Sequence, residues 1–457
     1  MARRRVSVLV AAICVALAAP VASASAAPVP TPGPVQALPT LTVPGQDALI
    51  GLDGYSQGAD SQGADSLAAD SQGGNGQGDL GARLRAGLRK VTAAGAAASF
   101  GEVVDEDGVR RAGSGVSDLR TGAPVRTDGR YRAGSITKVF TSTTVLQLVG
   151  EHRIGLDDPV ESYLPGLVPN GAHITIRQLL NHSSGVWDPT NEPDGGVFPT
   201  FTNVADARKW IEGGGFKDSV PRDKVMAAAT AHAPYFAPGT SFHYSNTNFI
   251  LLGMVIEKVT GNTYAHEIEA RILRPLGLTR TYFPGASTDI RGPHAHGYLT
   301  LVDGTGPTAP RTDYDISEQS VTWATSAGEL ISTTDDLIRF ERALLGGRLL
   351  KPEQMAAMKT TIPMTPDGSP SSANYGLGLA RVDLSCGPVY GHDGSMPGYL
   401  SQMWSSGNRW LAVSTTPKGD PQQVYAQMGA QFGLMEDVFC GKGGEGGKGG
   451  EGSEGKG

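Results

Sequence analysis

The chemistry of this chain starts from Ser135-Ile-Thr-Lys138, a Ser-x-x-Lys sequence that opens an apolar helical stretch. On a helix, residues at i and i+3 share a face, so Lys138 lies one turn beyond Ser135 and points the same way. Gly134 lets the chain turn tightly into the helix. Ser135 then lies at the positive end of the helix dipole, among backbone N–H groups without helical partners. That setting suits a nucleophile whose reaction builds negative charge beside it. Taken alone, the same residues read as a capping serine and a surface lysine. A nucleophile also needs a base, an oxyanion site and groups that position substrate, and two later stretches offer them. His243-Tyr244-Ser245-Asn246 opens another helix near Phe249, and Tyr244 and Asn246 can face one side of a loop. Tyr390-Gly-His392-Asp393-Gly394-Ser395 falls in an expected strand, where glycines admit a ligand backbone closely.

The elements that must carry these residues are read from hydrophobic period and turn residues. Leu80, Leu84, Leu88 and Val91 recur at helical spacing. Strands over 97–104 and 109–116 flank the turn Asp105-Glu-Asp-Gly108. The helix after Ser135 runs to Gly150, and the chain from about 150 to 330 is mostly helical and loop-rich. It holds a Thr-capped helix at 175–180, a helix at 245–260 and a long Gly/Pro-rich loop over 186–222. Strands are expected at 376–382, 389–393, 398–404 and 410–416, and a closing amphipathic helix at 422–439. The fold class is α/β (α+β): one mixed, mainly antiparallel sheet built from both chain ends, flanked by N- and C-terminal helices, with a large helical insertion.

Of the 457 residues, much is not core material. Arg3-Arg-Arg5, an apolar run and Ala24-Ser-Ala26 read as a secretory signal peptide over 1–26. Residues 27–78 are Pro-, Gly- and Ser-rich with a five-residue repeat, expected to be a disordered linker, and 441–457 a Gly/Lys/Glu tail. The folded body is expected over 79–440, exported and without a membrane anchor after leader removal. Once Cys14 leaves with the leader, Cys386 and Cys440 remain as an even pair, expected to form a disulfide. A formal charge of −7 argues against nucleic acid as partner. There is no Gly-x-Ser-x-Gly elbow, Walker loop or His-Glu-x-x-His, and His294-Ala-His296 lacks an evident third ligand, so neither metal nor cofactor is expected.

Ser-x-x-Lys, Tyr-x-Asn and His-x-Gly occur in that order. The chain thereby resembles the serine penicillin-binding and class C β-lactamase superfamily, and most closely secreted serine D-alanyl-D-alanine carboxypeptidases with His in the third motif. The likeness extends through Ile174–Gly185, Trp323-Ala-Thr-Ser-Ala-Gly328, Tyr375-Gly-Leu-Gly-Leu379 and the two cysteine contexts. It implies Ser135 as nucleophile, Lys138 and Tyr244 as a base system with the proton acceptor left open, and His392 assisting Tyr244 by hydrogen bond or positive charge. It also implies that Asn246 holds the acyl-side amide and that the backbone N–H groups of Ser135 and Ser395 form the oxyanion hole. Asp393, Gly394 and Ser395 would line the substrate strand, and Trp323 either walls the cleft or sits in the core.

The chain departs from those relatives where they hold a substrate carboxylate. Ala380 stands at their Arg position, with Arg381 next to it on the opposite strand face, and Asp393 replaces Thr. The resemblance therefore implies an exported serine acyl hydrolase, secreted or cell-wall-associated, acting on peptidoglycan-type D-amino-acid peptides, amides or esters, with β-lactams as acylating inhibitors. Carboxypeptidase, esterase and D-aminopeptidase or amidase activities stay open, as does a slow-turnover penicillin- or wall-binding protein.

Overall fold

The computed structural model describes residues 80–441 apart from 193–194, 202 and 305–307, together with the dipeptide Val8–Leu9. The leader, linker and tail expected at 1–26, 27–78 and 441–457 lie outside the described residues, Val8–Leu9 and Gly441 excepted.

Helix α1 (Leu80–Ala93) leads into β1 (Ala98–Asp105), β2 (Gly108–Asp118) and β3 (Ala123–Pro124). The catalytic-type serine precedes α2 (Thr137–Gly150), and α3 (Asn246–Thr260), α4 (Thr325–Gly328) and α5 (Thr334–Leu345) follow in the middle of the chain. The second half of the sheet is β4 (Ile362–Pro363), β5 (Ala373–Tyr375), β6 (Ala380–Leu384), β7 (Gly387–Met396), β8 (Tyr399–Ser406) and β9 (Arg409–Thr416). Helix α6 (Pro421–Cys440) closes the fold. The nine strands lie in the order β4-β5-β6-β7-β8-β9-β1-β2-β3, every neighbouring pair antiparallel. Both chain ends meet where β9 pairs with β1, Val413 opposite Gly101.

Strand period divides the core. Ala98, Phe100, Met403 and Ala412 join Ile136, Val139 and Phe140 beneath the helical body. Val103, Leu411 and Val413 instead meet Leu84 and Leu88 of α1 and Leu434 and Val438 of α6. Helices α1 and α6 touch closely because Gly87 has no side chain: a Cβ there would lie 2.3 Å from Leu434 Cδ1. The Sγ atoms of Cys386 and Cys440 are bonded across Cα atoms 5.3 Å apart, tying the end of α6 to the β6–β7 turn.

Two local expectations are corrected. No strand runs through Gly376–Leu379; the chain turns back there, with the Gly376 N–H donating to Leu379 O at 2.8 Å. Gly378 has φ +76°, and a Cβ on it would lie 1.7 Å from Ser142 Oγ on α2, so the turn is pressed onto the helix that carries Lys138. The stretch 186–222 is not all loop. Asn203 caps the helix Val204–Glu212, whose Ala207 and Ile211 are buried. The insertion also contains an antiparallel hairpin, Tyr298–Val302 against Arg311–Asp315, that its Gly/Pro punctuation concealed.

The α1–α6 contact gives a stability test. Gly87→Ala should lower the denaturation free energy by about 1–3 kcal/mol through overpacking, despite the better helix propensity of Ala. Leu434→Ala in the same chain should recover part of that loss, so the double mutant is less destabilised than the sum of the singles in chemical denaturation.

Candidate active site

Two backbones are brought edge to edge to make the site. Tyr131–Arg132 pairs with Ile331–Ser332, and the buried Arg132 guanidinium donates to the carbonyls of Thr288, Ser317 and Gln319. This anchors the chain just ahead of a tight turn, Gly134–Ile136, that leads into α2. Gly134 has φ +55°, and a Cβ on it would lie 2.7 Å from both N and O of Ser395. From the other side, a Cβ on Gly394 would lie 2.1 Å from Ala133 O. The pair of glycines thus lets the main chain of Ser395 on β7 run directly beside the half-exposed Ser135. Ser401 Oγ donates to Ala133 O at 2.8 Å and holds the two in place.

Lys138 is fully buried, and its Nζ donates to Ser135 Oγ at 3.0 Å, Asn246 Oδ1 at 2.7 Å and Ala327 O at 2.9 Å. The same nitrogen lies 4.8 Å from the Tyr244 ring centroid. Asn246 begins α3, and its Nδ2 donates to Thr190 Oγ1 at 2.8 Å and to Asp188 Oδ2 at 3.2 Å. The amide hydrogens of Asn246 are directed toward Thr190 and the buried Asp188 carboxylate.

Tyr244 is packed among rings. The His182 centroid is 4.2 Å away and that of Tyr375 6.1 Å, the latter edge-on. His182 has φ +61°, a strained conformation for a non-glycine residue, and its Nδ1 accepts from the Ser245 N–H at 3.2 Å. Burial, reinforced by Lys138, holds His182 well below the ordinary imidazole range. The expectation for His392 is corrected. Its Nδ1 lies 2.5 Å from Asp393 O, and Tyr375 Oη lies 2.8 Å from its Nε2. These partners assign the proton to Nδ1, with Tyr375 donating to Nε2. Burial and then the Lys138 ammonium push its pKa down to about 3. The third motif therefore supplies a neutral ring bonded to Tyr375 and not a cation.

Asp393, 26% exposed, has its pKa pushed up to about 6 by burial, against the pull of its own backbone and of Lys138. Trp323 is 4% exposed, with Phe198 edge-on at 5.0 Å, so its surface is covered by core and does not wall an open cleft. Arg381 pairs with Asp383 on its own strand at 2.7 Å. No site role was read from sequence for His182, Asp188, Thr190 or Tyr375. Asp188-Pro-Thr190 carries an Asx-type signal, since the Asp188 carboxylate accepts from the Thr190 N–H, but nothing local reveals that it faces Asn246. Among the described residues no group of His, Cys, Asp and Glu is placed to hold a metal, and no helix is long and apolar enough to cross a membrane.

A partly exposed serine hydroxyl on a buried lysine, at a helix start and beside the end of β7 that runs past its pairing with β6, is the arrangement of a serine acyl-transfer site. The chain belongs to the serine penicillin-binding and class C β-lactamase superfamily: the Beta-lactamase family model matches residues 85–430. Penicillin-binding protein 4 of Amycolatopsis lactamdurans is 30% identical over 320 residues, 67% of this chain and 76% of that protein. Penicillin-binding protein 4* of Bacillus subtilis is 28% identical, and the chain spans only 60% of its length. Among solved structures, a D-stereospecific amidohydrolase from Streptomyces sp. is 37% identical, with TM-score 0.65 over 79% of this chain and 99% of that one. The D-amino acid amidase of Ochrobactrum anthropi SV3, at 24% identity and TM-score 0.62 over 79% of this chain and 98% of that one, shares the fold.

The neutral state of His392 is open to measurement. Its imidazole signals should stay those of the neutral ring, protonated on Nδ1, from pH 8 to pH 5. Because its pKa falls on folding, the unfolded chain binds the extra proton below its ordinary value near 6.5. Stability from this group is present above that pH and is lost as pH falls toward 3. His392→Gln should flatten that acid-side slope in a denaturation series.

Proposed function

We propose that this protein is an exported serine acyl hydrolase that cleaves amide and ester bonds of D-amino-acid derivatives whose leaving group carries no carboxylate. The observation that carries the reading is Lys138 Nζ at 3.0 Å from Ser135 Oγ, beside the Ser395 main chain. Ser135 Oγ attacks the carbonyl carbon, and its proton passes to a Tyr244 phenolate or to Lys138 once the lysine ammonium has given up a proton. The oxyanion is met by the backbone N–H groups of Ser135 and Ser395. The leaving group takes the proton and departs, and water then hydrolyses the acyl-enzyme by the reverse transfers.

Asp393 narrows the substrate. It adds a carboxylate where the related carboxypeptidases offer a hydroxyl, and Arg381, the nearest cation in sequence to their anchoring Arg, is paired with Asp383. A substrate carboxylate approaching that strand is repelled; an amide, an ester or a further peptide unit is not. The likeness to the Streptomyces D-stereospecific amidohydrolase supports the D-amino-acid amide reading, while the penicillin-binding relatives support β-lactams as acylating agents. The leader-like sequence read at 1–26 supports export.

Purified protein should release ammonia from D-amino-acid amides and lose that activity in Ser135→Ala. Inactivity of the wild type on amides and esters alike would refute the reading. Asp393→Thr should raise kcat/KM for a D-alanyl-D-alanine peptide about tenfold relative to an amide substrate. Since Asp393 ionises near pH 6, the wild type's discrimination against the carboxylate-bearing peptide should grow as pH rises through 6 and shrink below it. A discrimination flat in pH and unchanged in Asp393→Thr removes Asp393 from substrate choice.

A further inference from the structure

The segment that carries Tyr244 is gripped by one residue of a different loop. His182 O accepts from the His243 N–H at 3.1 Å, and His182 Nδ1 accepts from the Ser245 N–H at 3.2 Å. The two neighbours of Tyr244 in the chain therefore end on the same fully buried residue. Between them, the Tyr244 ring lies on the imidazole, with centroids 4.2 Å apart and planes 31° from parallel. Tyr375 at 4.8 Å and Phe249 at 5.3 Å hold the imidazole from other sides. A further contact fixes its proton. Ser184 Oγ donates to Asn248 Oδ1 at 2.6 Å, which turns Asn248 Nδ2 toward His182 Nδ1 at 3.1 Å. Facing two N–H donors, Nδ1 is the bare nitrogen, and the ring is neutral with its proton on Nε2. The backbone of His182 has φ +61°, just past the helix Ile176–Leu180. A non-glycine residue is strained there and persists only where its surroundings hold it.

We propose that His182 is a positioning residue for the acyl-transfer base: its carbonyl and unprotonated Nδ1 fix the main chain around Tyr244, and its ring fixes the phenol beside Lys138. The inference rests on the acyl-transfer reading and adds to it a residue that touches neither substrate nor Ser135. Lys138 Nζ lies 4.8 Å from the Tyr244 centroid, and that closeness is what makes a phenolate accessible. A phenol free to swing away from the ammonium returns toward its ordinary pKa near 10. The grip also depends on charge. An imidazolium would set Nδ1–H against the Ser245 N–H and the Asn248 amide. The groups around the ring are Lys138 on α2, His243 and Tyr244 in the loop, Tyr375 on β5 and His392 on β7. None of these is a carboxylate that would offset a second positive charge.

Two variants of the purified full chain separate the two holds. His182→Phe keeps a ring beneath Tyr244 and removes the acceptor. His182→Asn suits the left-handed backbone and keeps an acceptor near Nδ1, but removes the ring. Each should slow labelling of Ser135 by a fluorescent penicillin about tenfold and lower kcat for D-phenylalanine amide similarly, with KM within about twofold. The acid limb of both rates should move to higher pH, because a displaced phenol gives up its proton less readily. In a Tyr244→Phe background the same substitutions should slow labelling less than twofold further, since His182 acts through Tyr244. In the wild type, nitrogen NMR should show His182 Nδ1 unprotonated from pH 8 to pH 5, a readout that needs no variant. A protonated Nδ1, an unmoved acid limb, or an equal further loss in Tyr244→Phe overturns this inference. A wild type that labels but hydrolyses no amide refutes the hydrolase reading alone, and one that does neither overturns both.

Discussion

A lysine ammonium with no solvent exposure is the constraint from which the rest of this structure follows. Removing such a charge from water costs several kcal/mol, and the cost is met only when hydrogen-bond acceptors surround it in good geometry. Here the acceptors come from three places in the chain: the turn before α2, the first residue of α3 and the carbonyl of Ala327 on α4. Bringing α3 and α4 to one lysine requires close helix contact. Gly253 provides it, since a Cβ there would lie 2.1 Å from Ser326 Oγ. The side chain that orients the nucleophile is also the one that gathers the helical half of the molecule around itself.

The sheet contributes the second half of the site by a steric device. Ala133–Gly134 and Gly394–Ser395 lie so close that neither glycine tolerates a side chain, and this closeness places a strand edge against the nucleophile. The same packing sets the electrostatics. His392 is driven neutral by burial, so Lys138 is left as the cation of the catalytic cluster, while Asp393 is a carboxylate poised near pH 6. A site charged in this way has little to offer an anionic leaving group. On the proposed reading its chemistry is that of its superfamily and its selectivity lies in the residues that differ.

Much of the fold was legible because period and turn residues are local. Leu80, Leu84 and Leu88 announced α1, and Asp105-Glu-Asp-Gly108 announced the β1–β2 hairpin, with strand boundaries off by one or two residues. The turn at Gly376–Leu379 misled, because apolar Leu377 and Leu379 look like strand residues while the flanking glycines serve contacts with Met358 and Ser142 that no local pattern shows. At the site, motif order brought Ser135, Lys138, Tyr244, Asn246 and His392 to notice, and the structure gathers them around one buried lysine. Their electrical state was not legible. That His392 is neutral depends on burial and on Tyr375, and that Asn246 turns its amide inward depends on Asp188, 58 residues earlier in the chain. Such effects belong to tertiary neighbours.

The central claim is that Ser135 becomes acylated because buried Lys138 stands beside it. The most direct measurement is the rate of covalent labelling by a penicillin, followed by mass spectrometry of the intact protein with the adduct mapped to its peptide. The account predicts one adduct, on Ser135, in the wild type, and labelling slowed at least a hundredfold in Lys138→Met while the protein stays folded. An adduct mapped to another residue, or a Lys138→Met protein labelled at the wild-type rate, would contradict it.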